Sequence, residues 1–97
     1  MAKAKFSRFD AADYLKTEED IAGFLNAAIE ESDGDYSAIR RAIETAIRAK
    51  NVSDLAKDAD ISRQGLYKAF SENGNPSFET VMKVSKALGV EVCFKAA

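Results

Sequence analysis

The stretch that most constrains this chain is residues 51–70, NVSDLAKDADISRQGLYKAF. Its apolar spacing predicts two short helices joined by a tight turn. Ser53 suits the N-cap of the first, because its hydroxyl can accept from backbone N–H groups left orphaned in the opening turn. Leu55, Ala56 and Ala59 then form one small apolar face. Asp60 falls where the turn needs positive φ, which Asp tolerates better than most non-glycine residues. Ile61 plugs the corner, and Ser62 caps a second helix running from about Arg63 to Phe70. In that helix Leu66, Ala69 and Phe70 fall at i, i+3 and i+4 and face inward. Ser62, Arg63, Gln64, Tyr67 and Lys68 are left outward. An exposed helix start with an Arg, a Gln and a later Lys suits reading base edges in a DNA major groove.

The rest of the chain supplies helices to pack around this pair. Residues 1–9, MAKAKFSRF, lack a helical period and read as a frayed terminus or an edge strand. Asp10 can cap a short helical turn through Leu15. Thr17 opens a stronger helix, with Asp20 three residues on as its capping-box partner. Ile21, Phe24, Leu25, Ala28 and Ile29 follow the i, i+3, i+4, i+7, i+8 rule, so residues 18–31 form an amphipathic helix. Ser32-Asp33-Gly34-Asp35 breaks the pattern. A third helix over about 36–50 buries Ile39, Ala42, Ile43, Ala46 and Ile47 and leaves Arg40, Arg41, Glu44 and Arg48 outside. Arg40 and Arg41 read as a solvated face. Arg48 and Lys50 either complement the helix dipole or touch a phosphate backbone. After a Gly- and Pro-punctuated loop (residues 71–77), Ser77 caps a helix whose inward stripe is Phe78, Val81, Met82, Ser85 and Leu88. Gly89 ends it. Val90 to Lys95 is β-branched, apolar and too short for a helix, and reads as a lone strand that needs a partner.

Composition narrows the chemistry. Ninety-seven residues allow one domain with a modest core. There is no His and one Cys, so a His/Cys metal site or a Cys–His nucleophile cannot be assembled. The carboxylates lie on solvated helical faces without acid–base spacing, and the expectation is a protein that is not an enzyme and holds no metal or cofactor. The single Cys93, the absence of an apolar run of membrane-spanning length and the lack of a secretory apolar segment predict a cytoplasmic protein away from membranes. The net charge of −2 divides unevenly. Residues 1–36 hold nine acids against four bases, and residues 37–97 hold ten bases against seven acids. Such asymmetry suggests two different partners.

Residues 53–70 with the following SFETVMKVSKALGV resemble the helix-turn-helix of phage-repressor-type (Cro/Xre-like) regulators. Ala56 matches the tight helix contact of that family, and Ile61 and Leu66 match its apolar core positions. Asp60 departs from the Gly usual there. Over nearly its whole length, from about Phe9 to Phe94, the chain also resembles the HigA-like antidote (antitoxin) proteins of bacterial addiction modules, with ISRQGLYKAFSENGNPSFET the most specific part. The resemblance implies an all-α fold of five to six helices in one domain, closed by a short C-terminal strand. Residues 1–35 would be an acidic helical extension, 36–89 the helix-turn-helix core and 90–97 the strand. It implies that the protein neutralises a small basic RelE/ParE-like toxin encoded by the neighbouring gene and represses its own operon as a homodimer on double-stranded operator DNA. The alternative is a toxin-independent transcriptional repressor, and a third reading is a fold kept for protein contact alone.

Expected contacts follow. Ser62, Arg63, Gln64, Tyr67, Lys68 and Ser53 meet DNA, and by resemblance Asn73, Asn75 and Ser77 ride along a phosphate strand. Phe9, Asp13, Tyr14 and Leu15 form an apolar anchor among acids for the toxin, or else simply pack beneath the helix of residues 18–31. Val90, Val92, Cys93 and Phe94 pair across a two-fold axis as the dimer strand, with Lys3 to Arg8 as the rival partner.

Overall fold

The path of the chain follows from local hydrogen bonds at its helix ends. The computed structural model describes residues 10–97, so the terminal segment and Phe9 lie outside the described residues. A 3₁₀ turn, Ala11–Tyr14, precedes five helices: α1 (Glu18–Ser32), α2 (Tyr36–Ala49), α3 (Val52–Ala59), α4 (Arg63–Ala69) and α5 (Phe78–Leu88). At the start of α1 the Thr17 hydroxyl accepts from the Asp20 N–H at 3.1 Å, and the Asp20 carboxylate accepts in return from the N–H groups of Thr17 and Lys16. This capping box satisfies donors that the helix itself cannot. Asp33 and Gly34, both at positive φ, end α1, and the Asp35 carboxylate caps α2.

Helix α3 begins at Val52, because the Asn51 side chain accepts from the Asp54 N–H at 3.1 Å and so caps it. Ser53 therefore sits inside the first turn rather than at the cap. At the far end Asp60 adopts φ 59°, while Ile61 N–H reaches the Ala56 carbonyl and Asp60 N–H that of Lys57. These two bonds are the Schellman pattern, here with Asp in the left-handed position where Gly is usual. Gly89 repeats it at the end of α5, with Val90 N–H bonded to Ser85 O and Gly89 N–H to Lys86 O.

Every helix sends side chains into one core. Ile21 of α1, Ala46 and Ile47 of α2, Leu55 and Ala56 of α3, Leu66 of α4, Phe70 just after it, and Val84 and Leu88 of α5 are all buried together. Helix α1 packs along α2, and α3 packs against α5. The alanines let α2 and α3 come close to their neighbours, as Ala46 shows by being wholly buried.

Four expectations are corrected. The inward stripe of α5 is rotated toward Val84, which is wholly buried, while Phe78 and Met82 stay 62% and 45% exposed. Ile29, read as the last member of the α1 stripe, is also exposed. Arg40 is buried, because it has carbonyl partners inside the fold. The expected C-terminal strand is not formed, and the described residues are all-helical with no strand. A strand is defined by its ladder of interstrand bonds, and among the described residues no extended segment pairs with residues 90–97 to provide one.

Candidate nucleic-acid interface

Helix α4 offers an open face. The Ser62 hydroxyl accepts from the Gly65 N–H at 2.9 Å and so squares off the helix start. Gly65 leaves that cap room, since a Cβ there would come within 3.0 Å of the Ser62 hydroxyl. Arg63, Gln64, Tyr67 and Lys68, at i, i+1, i+4 and i+5, share the outward side of α4 and are all exposed. The Arg63 guanidinium stands over the Tyr67 ring at 5.8 Å from its centroid. This cation–π contact holds the arginine along the helix without using up its N–H donors.

Beyond α4 the chain is held by three anchors. Nη1 of the buried Arg40 donates to the carbonyls of Ser71 at 2.6 Å and Phe70 at 3.3 Å. A cation here also meets the negative end of the α4 dipole. Gly74 lies so close to α4 that a Cβ would fall 2.2 Å from the Ala69 carbonyl oxygen. The Tyr36 hydroxyl donates to the Gly74 carbonyl at 3.4 Å. Asn73, Asn75 and Ser77 are thereby exposed on a loop tied at both ends, and the Ser77 hydroxyl caps α5 through the Thr80 N–H. The anchors were missed in the sequence, although a signal existed. Arg40 stands at i, i+3 and i+7 with Ile43 and Ile47, on the edge of the apolar stripe.

On α2 the cations differ in what they hold. Arg48 is bound to Asp10 at 2.7 Å and to Glu44 at 3.0 Å. The hydrogen bond from Arg48 keeps the Asp10 carboxyl below its ordinary range, and the same bond raises Arg48 further. Arg41 and Lys50 are exposed. A groove of about 550 Å³ runs between α2 and α4, with Arg41 and Arg48 on one wall and Tyr67 on the other.

The remaining expected residues fall elsewhere. Ser53 is exposed in the first turn of α3. Asp13 and Tyr14 are exposed on the 3₁₀ turn, whereas Leu15 packs against the core. Val90 also packs against the core, while Val92, Cys93 and Phe94 are exposed, the last at 89%. Among the described residues no helix is long and apolar enough to cross a membrane.

Comparison with known proteins adds a family to this geometry. An uncharacterized protein of Haemophilus influenzae is 48% identical over 83 residues, which is 86% of this chain and 84% of that protein. No solved structure matches. The model of a family described as probable addiction module antidote proteins matches residues 5–96. With the match running through α1 to α5 and past them, the chain belongs to the family of probable addiction module antidote proteins.

Proposed function

We propose that this protein is the antitoxin of an addiction module, which captures a small basic RelE/ParE-like toxin from the neighbouring gene and binds operator DNA to repress its own operon. The observation that carries the DNA half is the exposed face of α4, with Arg63, Gln64, Tyr67 and Lys68 aligned on one side and Ser62 at its start. In this reading α3 and α4 are a Cro/Xre-type helix-turn-helix. Arg63 and Gln64 reach base edges, where Arg pairs with guanine O6/N7 and Gln with adenine N6/N7. Lys68, Ser53, Asn73, Asn75 and Ser77 meet the backbone and set register.

The toxin half rests on the family and on charge. An antidote implies a toxin, and the first turn of α1 carries Glu18, Glu19 and Asp20 beside the exposed Asp13 and Tyr14. A basic partner would be steered to such a surface. Phe9, Asp13, Tyr14 and Leu15 are the proposed contacts, with Leu15 acting from beneath. The protein works by binding in the cytoplasm, as a homodimer, without catalysis or cofactor.

Co-expression with the neighbouring open reading frame tests the toxin half. The two chains should co-purify, and growth inhibition by the partner alone should be relieved. A titration on the upstream DNA tests the other half. Affinity no better than on scrambled DNA would overturn the repressor reading while leaving toxin capture intact.

A further inference from the structure

The groove between α2 and α4 contains a cation whose donors the fold leaves partly unspent. Arg40 is 5% exposed and lines this groove. Its Nη1 makes both of its bonds, to the carbonyls of Phe70 and Ser71. The N–H groups on Nε and Nη2 have no partner among the described residues. Among those residues no buried side-chain nitrogen is sealed off without a partner, so these donors open on the groove rather than into the core. Nε and Nη2 form one edge of the guanidinium, where parallel N–H groups match the two oxygens of a carboxylate. The neighbouring Arg41 is exposed, and its side chain has no partner among the described residues either.

We propose that this groove binds a small organic anion, a single carboxylate on a flat apolar body. The carboxylate takes the free edge of Arg40, with Arg41 beside it, and the body lies along the groove against Val52 and the Tyr67 ring. Size supports the choice, because about 550 Å³ falls within the range of roughly 300–1,000 Å³ typical of small-ligand sites. Charge supports it too. Three arginines against Glu44 and Glu72 leave the lining with one net positive charge, which one carboxylate balances. Glu44 is already bonded to Arg48, and Glu72 is exposed at the rim. A nucleic-acid strand would bring a run of phosphates past both glutamates and would leave the apolar walls unused. Ile47, Leu66 and Phe70 belong to the core and show the groove only their edges, so Val52, Tyr67 and the methylene stems of the arginines supply the apolar contact. Tyr67 also stands on the outward face of α4, which puts the occupant beside the proposed DNA surface. The site itself depends on neither DNA nor toxin.

The probe is naphthoate, titrated into the isotopically labelled full chain and followed through its amide NMR signals. Shifts should saturate and should centre on Arg40 to Val52 and Leu66 to Glu72. Naphthalenemethanol keeps the body without the charge, and acetate keeps the charge without the body. Each should bind roughly tenfold or more weakly than naphthoate. Arg41→Ala, at an exposed position, should weaken naphthoate by about twofold to fivefold. Arg40→Lys keeps the charge without the paired edge and should weaken it roughly tenfold. The analogue comparison uses the wild type, so it decides the matter even where the Arg40 variant fails to fold. Shifts that do not saturate, shifts centred on another part of the surface, or an alcohol that binds as well as the acid overturn the proposal. Inorganic phosphate that moves the same amides as strongly as naphthoate would make the groove a plain anion seat, and the proposal falls.

Discussion

Replacing Arg40 by Met keeps the aliphatic stem in place and removes the group that holds the end of α4. Two bonds from a charged donor are lost, a short one to Ser71 O at 2.6 Å and a longer one to Phe70 O at 3.3 Å. A hydrogen bond to a charged group contributes about 1.5–3 kcal/mol, and an orphaned buried carbonyl costs about 1–3 kcal/mol. Ser71 is exposed, so its carbonyl can turn to water, whereas the bond to Phe70 is buried and its loss is not made good. Against this, Met recovers some transfer free energy at a buried position. The net loss should be about 2–3 kcal/mol, which lowers Tm by roughly 8–20 °C for a chain of this size. Urea unfolding followed by circular dichroism gives the number, with Arg41→Met as the exposed control expected within about 0.5 kcal/mol. Arg40→Lys should recover only part, since one ammonium cannot reproduce the fixed fork of a guanidinium. Amide exchange should quicken across residues 71–77 before it does so in α1. A loss below about 0.5 kcal/mol, or unchanged exchange in the loop, would refute the assignment of Arg40 as the anchor.

Arg63→Ala should cost about 1–3 kcal/mol on the operator and relax preference at one base pair; equal losses on operator and scrambled DNA would reduce Arg63 to a phosphate contact. Gly74→Ala places a methyl group against the Ala69 backbone carbonyl, so the loop must shift at a cost of about 1–3 kcal/mol, and an unchanged urea midpoint would show that the contact yields easily. Asp20 is held below its ordinary value of 3.8 by the N–H groups of Lys16 and Thr17, and Asp10 is held below it chiefly by Arg48. A depressed carboxyl contributes stability that is complete above its unfolded pKa and is lost as pH falls through its folded one. The start of α1 should therefore lose amide protection as pH drops below 3.8, and Asp20→Asn should remove that transition; protection that persists through this range would contradict it.

Cap chemistry was legible because it is local. The Thr17–Asp20 box, Asp60, Ser62, Ser77 and Gly89 each act within a few residues of themselves. The beginning of α3 was misplaced because two good caps stand two residues apart, and the helix starts at the earlier one, Asn51. Periodicity also found the outward face of α4, on which the candidate interface depends. On α5 it placed the buried Ser85 and Leu88 inside but took the exposed Phe78 and Met82 for core and passed over Val84, which is wholly buried. Charge was a poor guide to exposure at Arg40, whose partners lie 30 and 31 residues away. The terminal strand was beyond reach for a similar reason, since a strand is a property of two segments and the alternation of Val90, Val92 and Phe94 describes one.

Arg48 has one guanidinium and two uses for it. It now clamps the 3₁₀ turn to α2 through Asp10, yet it also forms part of the groove wall that faces Tyr67. A phosphate arriving at that wall competes with Asp10 for the same N–H donors. A ligand that recruits Asp10 at the N-terminal end conversely sets the arginine free for a phosphate. A phosphate bound at that wall and a ligand bound through Asp10 would therefore be thermodynamically linked, and reciprocally so: whatever one did to the affinity of the other would be returned by the same factor.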